Sequence, residues 1–329
     1  MIRPAVFFPV AVTLSVVAFA VSLSTGAATI RWADVLAFPD STSARLFLTI
    51  RLPRTVESFV CGGALGVCGA ALQGVFRNPL ADPALIGVSG GAALGAVVSI
   101  VWFEALLARE ALTLPICAFL GAIVSVFLVH AISTQRGRVL TSTALLAGIA
   151  VNALSGAAIG WFVYGASDSQ LRDFTFWSLG SLAGSGWEAV RLSAPLVGIA
   201  CVGLLWGGRS LNALALGESD AWHMGAPVEW VKRIVLVSSA LAVGSVTAFC
   251  GTIGFIGLVA PHLVRMAAGA DHRIVLPGSF LCGGLLLCGA DLVARTARSP
   301  AEIPVGIVVA SVGAPVFLFL LLRGRGTEA

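Results

Sequence analysis

Long apolar runs recur along the whole chain, and they restrict its fold more than any other feature. Cut at charged or Pro/Gly-rich connections, the sequence yields ten: Ala5 to Ser24, Thr55 to Val75, Ala84 to Leu107, Leu112 to Ile132, Ser142 to Gly165, Trp187 to Trp206, Ile234 to Cys250, Thr252 to Met266, Ile274 to Ala294 and Ile303 to Leu322. A bilayer core of about 30 Å takes about 20 apolar residues per helix, so ten spans use nearly all of the chain. The runs are continuously apolar instead of alternating with period two, which favours helices over a closed barrel. The expected fold class is therefore all-α: a polytopic transmembrane bundle of ten helices, one domain over residues 1–329. The eighth run is short and carries Pro261, so a tilted or broken helix shielded by its neighbours is expected there.

Composition agrees. Of the 329 residues 58% are hydrophobic and 11% charged, with a mean hydropathy of +0.98, whereas soluble domains carry about a quarter charged residues. Small residues at helical spacing, such as Gly62, Gly63, Gly66 and Gly69, allow helix backbones to approach closely. The seven cysteines (Cys61, Cys68, Cys117, Cys201, Cys250, Cys282, Cys288) all lie in apolar stretches without C-x-x-C spacing. They read as small buried hydrophobes, not as disulfides or metal ligands. The N-terminal run, followed by Ala27-Ala28, could pass for a signal peptide, but a retained first span is the favoured reading.

The net charge is +4, and Lys232 is the single lysine. The arginines are scattered over the connections, which argues against nucleic-acid binding. With the N-terminus inside, 11 basic residues fall on the inner side and nine on the outer, a weak bias of the expected sign. The longest inner connection, residues 208–233, alternates apolar and polar residues around Gly217 and suggests one or two short amphipathic helices. Such helices suit a membrane surface or a docking surface for a cytoplasmic partner.

Several activities are excluded or disfavoured. No G-x-x-x-x-G-K-[ST] loop is present, so the chain has no ATPase site of its own. No H-E-x-x-H exists, the four histidines lie in separate segments, and no G-x-S-x-G elbow occurs. Ionisable residues collect near span ends: Arg51, Arg54 and Glu57 begin the second span, and Asp291 precedes Arg295 by four residues, a spacing that allows an intrahelical pair. The lack of an evident mid-span carboxylate disfavours the alternative of an ion-coupled secondary transporter.

Three stretches resemble the permeases of ATP-binding-cassette importers for iron siderophores, haem and vitamin B12. The first is Arg51-Leu52-Pro53-Arg54-Thr55 followed by Gln73-Gly74-Val75-Phe76-Arg77-Asn78-Pro79-Leu80-Ala81-Asp82-Pro83 and Leu85-Ile86-Gly87-Val88-Ser89-Gly90-Gly91-Ala92. The second is Leu214-Ala215-Leu216-Gly217-Glu218-Ser219 with Gly225. The third runs from Gly251-Thr252-Ile253-Gly254-Phe255-Ile256-Gly257-Leu258-Val259-Ala260-Pro261-His262 through Asp271-His272-Arg273 and Ala290-Asp291-Leu292-Val293-Ala294-Arg295 to Glu302-Ile303-Pro304-Val305-Gly306 and Gly313-Ala314-Pro315.

The resemblance implies a ten-helix subunit of a multi-pass bacterial inner-membrane importer. It pairs as a homodimer in lipid, takes two cytoplasmic ATPase copies that bind ATP and Mg, and meets a soluble periplasmic substrate-binding protein. It implies docking of that protein on Arg51 and Arg295, and ATPase coupling through Leu214, Gly217, Glu218, Ala221 and Gly225. Asn78, Pro79, Leu80, Thr141 and Ser142 match cytoplasmic gate segments. Arg109 and Arg298 fit headgroup contacts. No cofactor or metal is expected in this chain; haem is the favoured substrate, then ferric siderophore, then cobalamin. Leu85-Ile86-Gly87-Val88 and Phe255-Ile256-Gly257-Leu258 are faintly alike, consistent with an inverted repeat.

Overall fold

The computed structural model describes residues 3–26, 32–38, 41–103 and 112–324. Ala27, Ala28, Arg31, Arg109, Arg325 and the third run beyond residue 103 lie outside the described residues. The helices are α1 (Pro4–Ser24), α2 (Trp32–Ala37), α3 (Thr42–Leu46), α4 (Leu52–Phe76), α5 (Val88–Val98), α6 (Thr113–Ser133), α7 (Thr141–Tyr164), α8 (Asp168–Ser178), α9 (Trp187–Trp206), α10 (Gly208–Leu216), α11 (Glu218–His223), α12 (Val228–Cys250), α13 (Ile256–Ala268), α14 (His272–Thr296) and α15 (Val305–Gly324). Among the described residues, seven helices are long and apolar enough to cross a bilayer, and three shorter apolar helices, at Val88–Trp102, Ile256–Ala268 and Val305–Leu318, correspond to the remaining expected runs. The remaining helices are connections too short or too polar to span.

Two starts differ most from expectation, that of the second run and that of the seventh, which begins at Val228 instead of Ile234. The second run begins at Thr42, not Thr55, because α3, a π turn at Phe47–Arg51 and α4 join into one rod, Thr42–Phe76. This rod is the centre of the bundle: 83% of its most apolar window is buried, against 11% for α1 and 22% for α7. Its small residues explain why. A Cβ placed on Gly62 would lie 2.3 Å from the Gly283 carbonyl oxygen, and one on Gly66 would lie 2.1 Å from that of Ser279, so α4 and α14 pack backbone to backbone. Without a hydrophobic driving force between helices in lipid, such close approach is what holds them together.

The outer helices show the opposite pattern. Leu146, Leu154, Trp161 and Tyr164 of α7 and Ile199, Val202 and Trp206 of α9 are exposed, as lipid-facing or partner-facing side chains must be.

The two similar tetrapeptides both sit at chain breaks inside the bundle. Pro83–Ile86 forms one turn of 3-10 helix capped by the Asp82 side chain, Gly87 turns the chain with φ 85°, and α5 follows. Gly251 and Phe255 have φ 69° and 64°, and α13 follows. The breaks touch: a Cβ on Gly257 would stand 3.0 Å from the Pro83 ring and 3.3 Å from the Asp82 carboxylate, beside Leu65 of α4. A cavity of about 210 Å³ lies beside this contact, lined in part by Ser89, Thr252 and Ile253. Irregular backbone at this depth is tolerated because protein surrounds it and supplies donors; Asn152 Nδ2 of α7 donates to the Ala84 carbonyl at 2.8 Å.

Candidate functional site

Two charged clusters sit at opposite ends of the bundle, called outer and inner after the orientation read from the arginines. The outer cluster is built on the start of α4 and the end of α14. Arg54 donates from Nε and Nη2 to Asp291 Oδ1 at 3.0 and 2.9 Å, and from Nη1 to Glu302 Oε1 at 2.9 Å. Arg295 Nε lies 3.5 Å from Asp291 Oδ2, the i,i+4 pair that the spacing predicts. Arg54 and Asp291 are buried, and only Glu302 is substantially open to water.

Arg51 and Arg295, the residues expected to dock the binding protein, are also buried, at 6% and 5% exposure. The cause is the end of α1. A helix C-terminus leaves carbonyls without partners, and guanidinium is a good donor to them. Arg51 Nη1 donates to the Leu23 and Ser24 carbonyls at 3.2 and 3.3 Å, while Arg295 Nη2 donates to the Ser22 carbonyl and, at 2.7 Å, to Ser22 Oγ. Ser22 Oγ in turn bonds Thr55 Oγ1 at 3.0 Å, fastening α1 to α4. The charged residues at the surface of this end include Arg45, Arg172, Arg191 and Arg298.

The inner cluster centres on Lys232 of α12, 1% exposed. Its Nζ lies 2.7 Å from Glu218 Oε2 at the start of α11 and 3.4 Å from Glu229 Oε1, and donates to the Val139 carbonyl at 2.9 Å. Glu229 Oε2 accepts from the Val139 amide at 2.6 Å. Val139 belongs to a small antiparallel hairpin, β1 (Thr134–Gln135) with β2 (Arg138–Val139), whose turn residues Arg136 and Gly137 both have positive φ, 51° and 80°. That is the primed turn geometry favoured by two-residue hairpins. Arg233 Nη2 donates to the Gly137 carbonyl at 2.6 Å, so the start of α12 holds both ends of the hairpin.

The loop 208–233 folds as two short helices, α10 and α11, divided by Gly217 as its sequence predicts. Gly217 has φ 131° and ψ 154°, a conformation that glycine alone adopts readily. Leu214 and Ala221 are buried anchors beneath the loop, at 1% and 0% exposure, so neither reaches its outer surface. That surface carries Leu216, Trp222, Met224 and Trp230, between 52% and 70% exposed, and Gly225, which turns the chain with φ 77°. A hollow of about 680 Å³ opens between Trp222, Trp230, Arg138 and Glu218.

A second tie runs from α10 to α14. Asn212 Nδ2 donates to Asp271 Oδ1 at 2.6 Å, and Asn212 Oδ1 accepts from the His272 amide at 2.8 Å. The Arg273 guanidinium, bonded to Asp271 at 2.7 Å, holds that carboxyl well below the usual carboxylate range.

The gate candidates lie on two strips beside this loop. Asn78, Pro79 and Leu80 follow α4 in a turn closed by a Leu80 amide to Asn78 Oδ1 bond of 2.9 Å, and preceded by Arg77 with φ 49°. Thr141 and Ser142 begin α7, directly after the hairpin and Leu140. A Cβ on Gly217 would come within 3.9 Å of Arg77 Nη1, so the loop borders the first strip as well as the second.

Sequence reasoning missed one buried acid. Glu57 was read as sitting at a span end, but the rod begins at Thr42, so it lies well inside and is 0% exposed. Ser193 Oγ of α9 donates to its Oε2 at 2.8 Å, and the Cys61 thiol donates to its Oε1 at 3.3 Å, with Cys250 Sγ 3.6 Å from Cys61 Sγ. The π turn that extends the helix backwards leaves no signal in the hydropathy. The cysteines are free, and most of them are buried, as expected of small hydrophobes.

Among the described residues, seven long apolar helices and three shorter ones, with an inner loop that exposes an apolar face, have the make-up of a membrane transport subunit. The chain matches the FecCD transport family over residues 14–323 and belongs to it, as a membrane-spanning permease of ABC importers in the inner membrane. It is 45% identical over 281 residues to the hemin transport system permease protein HmuU of Yersinia pestis, covering 85% of this chain and 84% of that one. It is 43% identical over 305 residues to the cobalamin import system permease protein BtuC of Halobacterium salinarum, covering 92% and 80%. A solved structure described as an inward-facing conformation of a metal-chelate type ABC transporter superposes with a TM-score of 0.87 at 30% identity, covering 98% of this chain and all of that one.

Proposed function

We propose that the chain forms the translocation path for haem, as a homodimer that binds two ATPase subunits at its inner face and a soluble substrate-binding protein at its outer face. The observation that carries the substrate is the 45% identity to a hemin permease along most of both chains. The exposed apolar faces of α7 and α15, including Trp161, Tyr164 and Val312, suit the second copy or lipid. Leu216, Trp222 and Met224 suit a cleft in the ATPase, with Leu214 and Ala221 holding the loop in shape and Gly217, Glu218 and Gly225 setting its path. Asn78, Pro79, Leu80, Thr141 and Ser142 form the cytoplasmic gate.

Docking of the binding protein on Arg51 and Arg295 then requires an exchange. Both guanidiniums leave the α1 carbonyls and take carboxylates of the partner, a charge-assisted bond replacing a weaker one. Arg51→Gln with Arg295→Gln lowers affinity for the binding protein at least tenfold in this account; unchanged affinity removes both residues from the docking surface.

The test of the function is ATP turnover and uptake by the full complex in liposomes, with binding protein loaded with haem, a ferric siderophore or cobalamin. Stimulation by the haem form above the others is the expected result. Preference for either other chelate changes the substrate and keeps the mechanism, and uptake without the ATPase overturns the mechanism.

A further inference from the structure

The only lysine of the chain is buried where the loop 208–233 meets the hairpin that leads into α7. Three separate segments meet on its ammonium: Glu218 from α11 at 2.7 Å, Glu229 from its own helix at 3.4 Å and the Val139 carbonyl from the hairpin at 2.9 Å. We propose that Lys232 is a positioning residue that transmits movement of the coupling loop to the gate strip at Thr141 and Ser142, by holding Glu218 and the hairpin on a single cation. The inference rests on the reading of that loop as the ATPase contact and of α7's first turn as a gate.

The geometry supplies both halves of such a link. Glu218 is the first residue of α11, directly after Gly217, whose backbone lets α10 and α11 change their mutual angle with little strain. Val139 is two residues before Thr141, and its amide and carbonyl are both engaged, by Glu229 Oε2 and Lys232 Nζ. The hairpin itself is rigid: its strands pair in register, Ser133 O accepts from the Leu140 amide, and Arg233 holds its turn. A displacement of Glu218 therefore pulls the ammonium, and the ammonium pulls a stiff hairpin that continues into α7.

An apolar residue would seal this spot more cheaply than a buried cation. A cation, however, keeps its hold while its carboxylate partners turn, because ionic attraction is less directional than packing. Glu218 and Glu229 are 40% and 33% exposed, so water can support them as they move, while the lysine stays covered. Arginine offers a charge of the same sign with longer reach, and methionine keeps the volume and removes the charge.

The experiment compares wild type, Lys232→Met, Lys232→Arg and Glu218→Gln in the assembled permease and ATPase complex in liposomes. Two quantities are read: uptake per ATP hydrolysed, and hydrogen exchange of residues 134–142 with and without vanadate trapping of the ATPase. Trapping changes exchange of the hairpin in wild type, and Lys232→Met abolishes that change and lowers uptake per ATP at least tenfold. Lys232→Arg restores most of both, and Glu218→Gln, which is partly exposed and folds regardless, shifts both in the same direction by a smaller factor. Hairpin exchange that responds to trapping equally in Lys232→Met and wild type overturns the inference, as does a hairpin that never responds in a wild type that transports. If wild type fails to transport at all, the functional reading has failed, and hairpin exchange in Lys232→Met against wild type still decides whether the lysine holds the hairpin.

Discussion

The two charged clusters are built on different principles, although each joins helices that are distant in sequence. At the outer end Arg54, Arg295 and Asp291 are all buried, with Arg54 hydrogen-bonded to Asp291, Arg295 Nη2 to the end of α1, and Arg295 Nε left with an ionic contact of 3.5 Å to Asp291. At the inner end only the cation is buried, and its carboxylates are a third or more exposed. A fully buried ion set is costly to disturb from either side, since removing one partner leaves a charge without water. A cation shared among half-exposed carboxylates can exchange partners at little cost. The outer cluster therefore fixes α1, α4 and α14 in one arrangement, whereas the inner one lets a loop shift while contact is kept.

The sharpest test of this contrast is Asp291→Ala. It takes the shared buried carboxylate from Arg54 and Arg295, leaving Arg54 with Glu302 and Arg295 with Ser22, and is expected to lower unfolding stability in micelles by about 3 kcal/mol; a loss below about 1 kcal/mol would show that the outer cluster is as yielding as the inner. Next comes Gly66→Val, which drives a side chain onto the Ser279 carbonyl and should cost about 1–3 kcal/mol by overpacking, read from the same unfolding curves. If Gly66→Val is neutral, the close approach of α4 and α14 is not what holds the outer cluster in register. Glu218→Gln is expected to cost only about 0–1 kcal/mol, because a partly exposed pair contributes little to stability, whatever it does to coupling. A larger loss would make the inner cluster structural.

The smallest effect concerns pH. The Asp271 carboxyl is held below its ordinary value by Arg273, so its contribution is present above the unfolded value of about 3.9 and lost only as pH falls through the lower folded value. Asp271→Asn should accordingly change unfolding by the same amount at every pH from about 5 to about 8. A difference that grew or shrank across that range would show that the carboxylate is not fixed by Arg273.

Much of this was legible from the order of residues. Among the described residues the ten apolar runs became helices close to the expected bounds, save that a π turn carried the second back to Thr42 and the seventh starts at Val228 instead of Ile234. Gly217 divided the inner loop as its neighbours implied, and the Asp291 to Arg295 spacing gave an ion pair. These are local properties: hydropathy over one span, backbone freedom at one glycine, or a spacing of one helical turn. The burial of Arg51 and Arg295 was not legible, because it depends on where α1 ends relative to α4 and α14. Glu57 escaped notice because the true start of its helix lies in a polar stretch.

What the sequence determined by itself is that the chain lives in a bilayer and crosses it as helices, since solvent and backbone hydrogen bonding leave no other solution for its continuously apolar runs. The tertiary structure alone decided which charges meet. The single lysine, Lys232, reaches Val139 across 93 positions of chain, and Arg54 reaches Asp291 across 237. No periodicity announces such pairs. Their geometry follows from the close packing of α4 on α14 and of α12 on its neighbours, which brings charges together where no water remains to separate them.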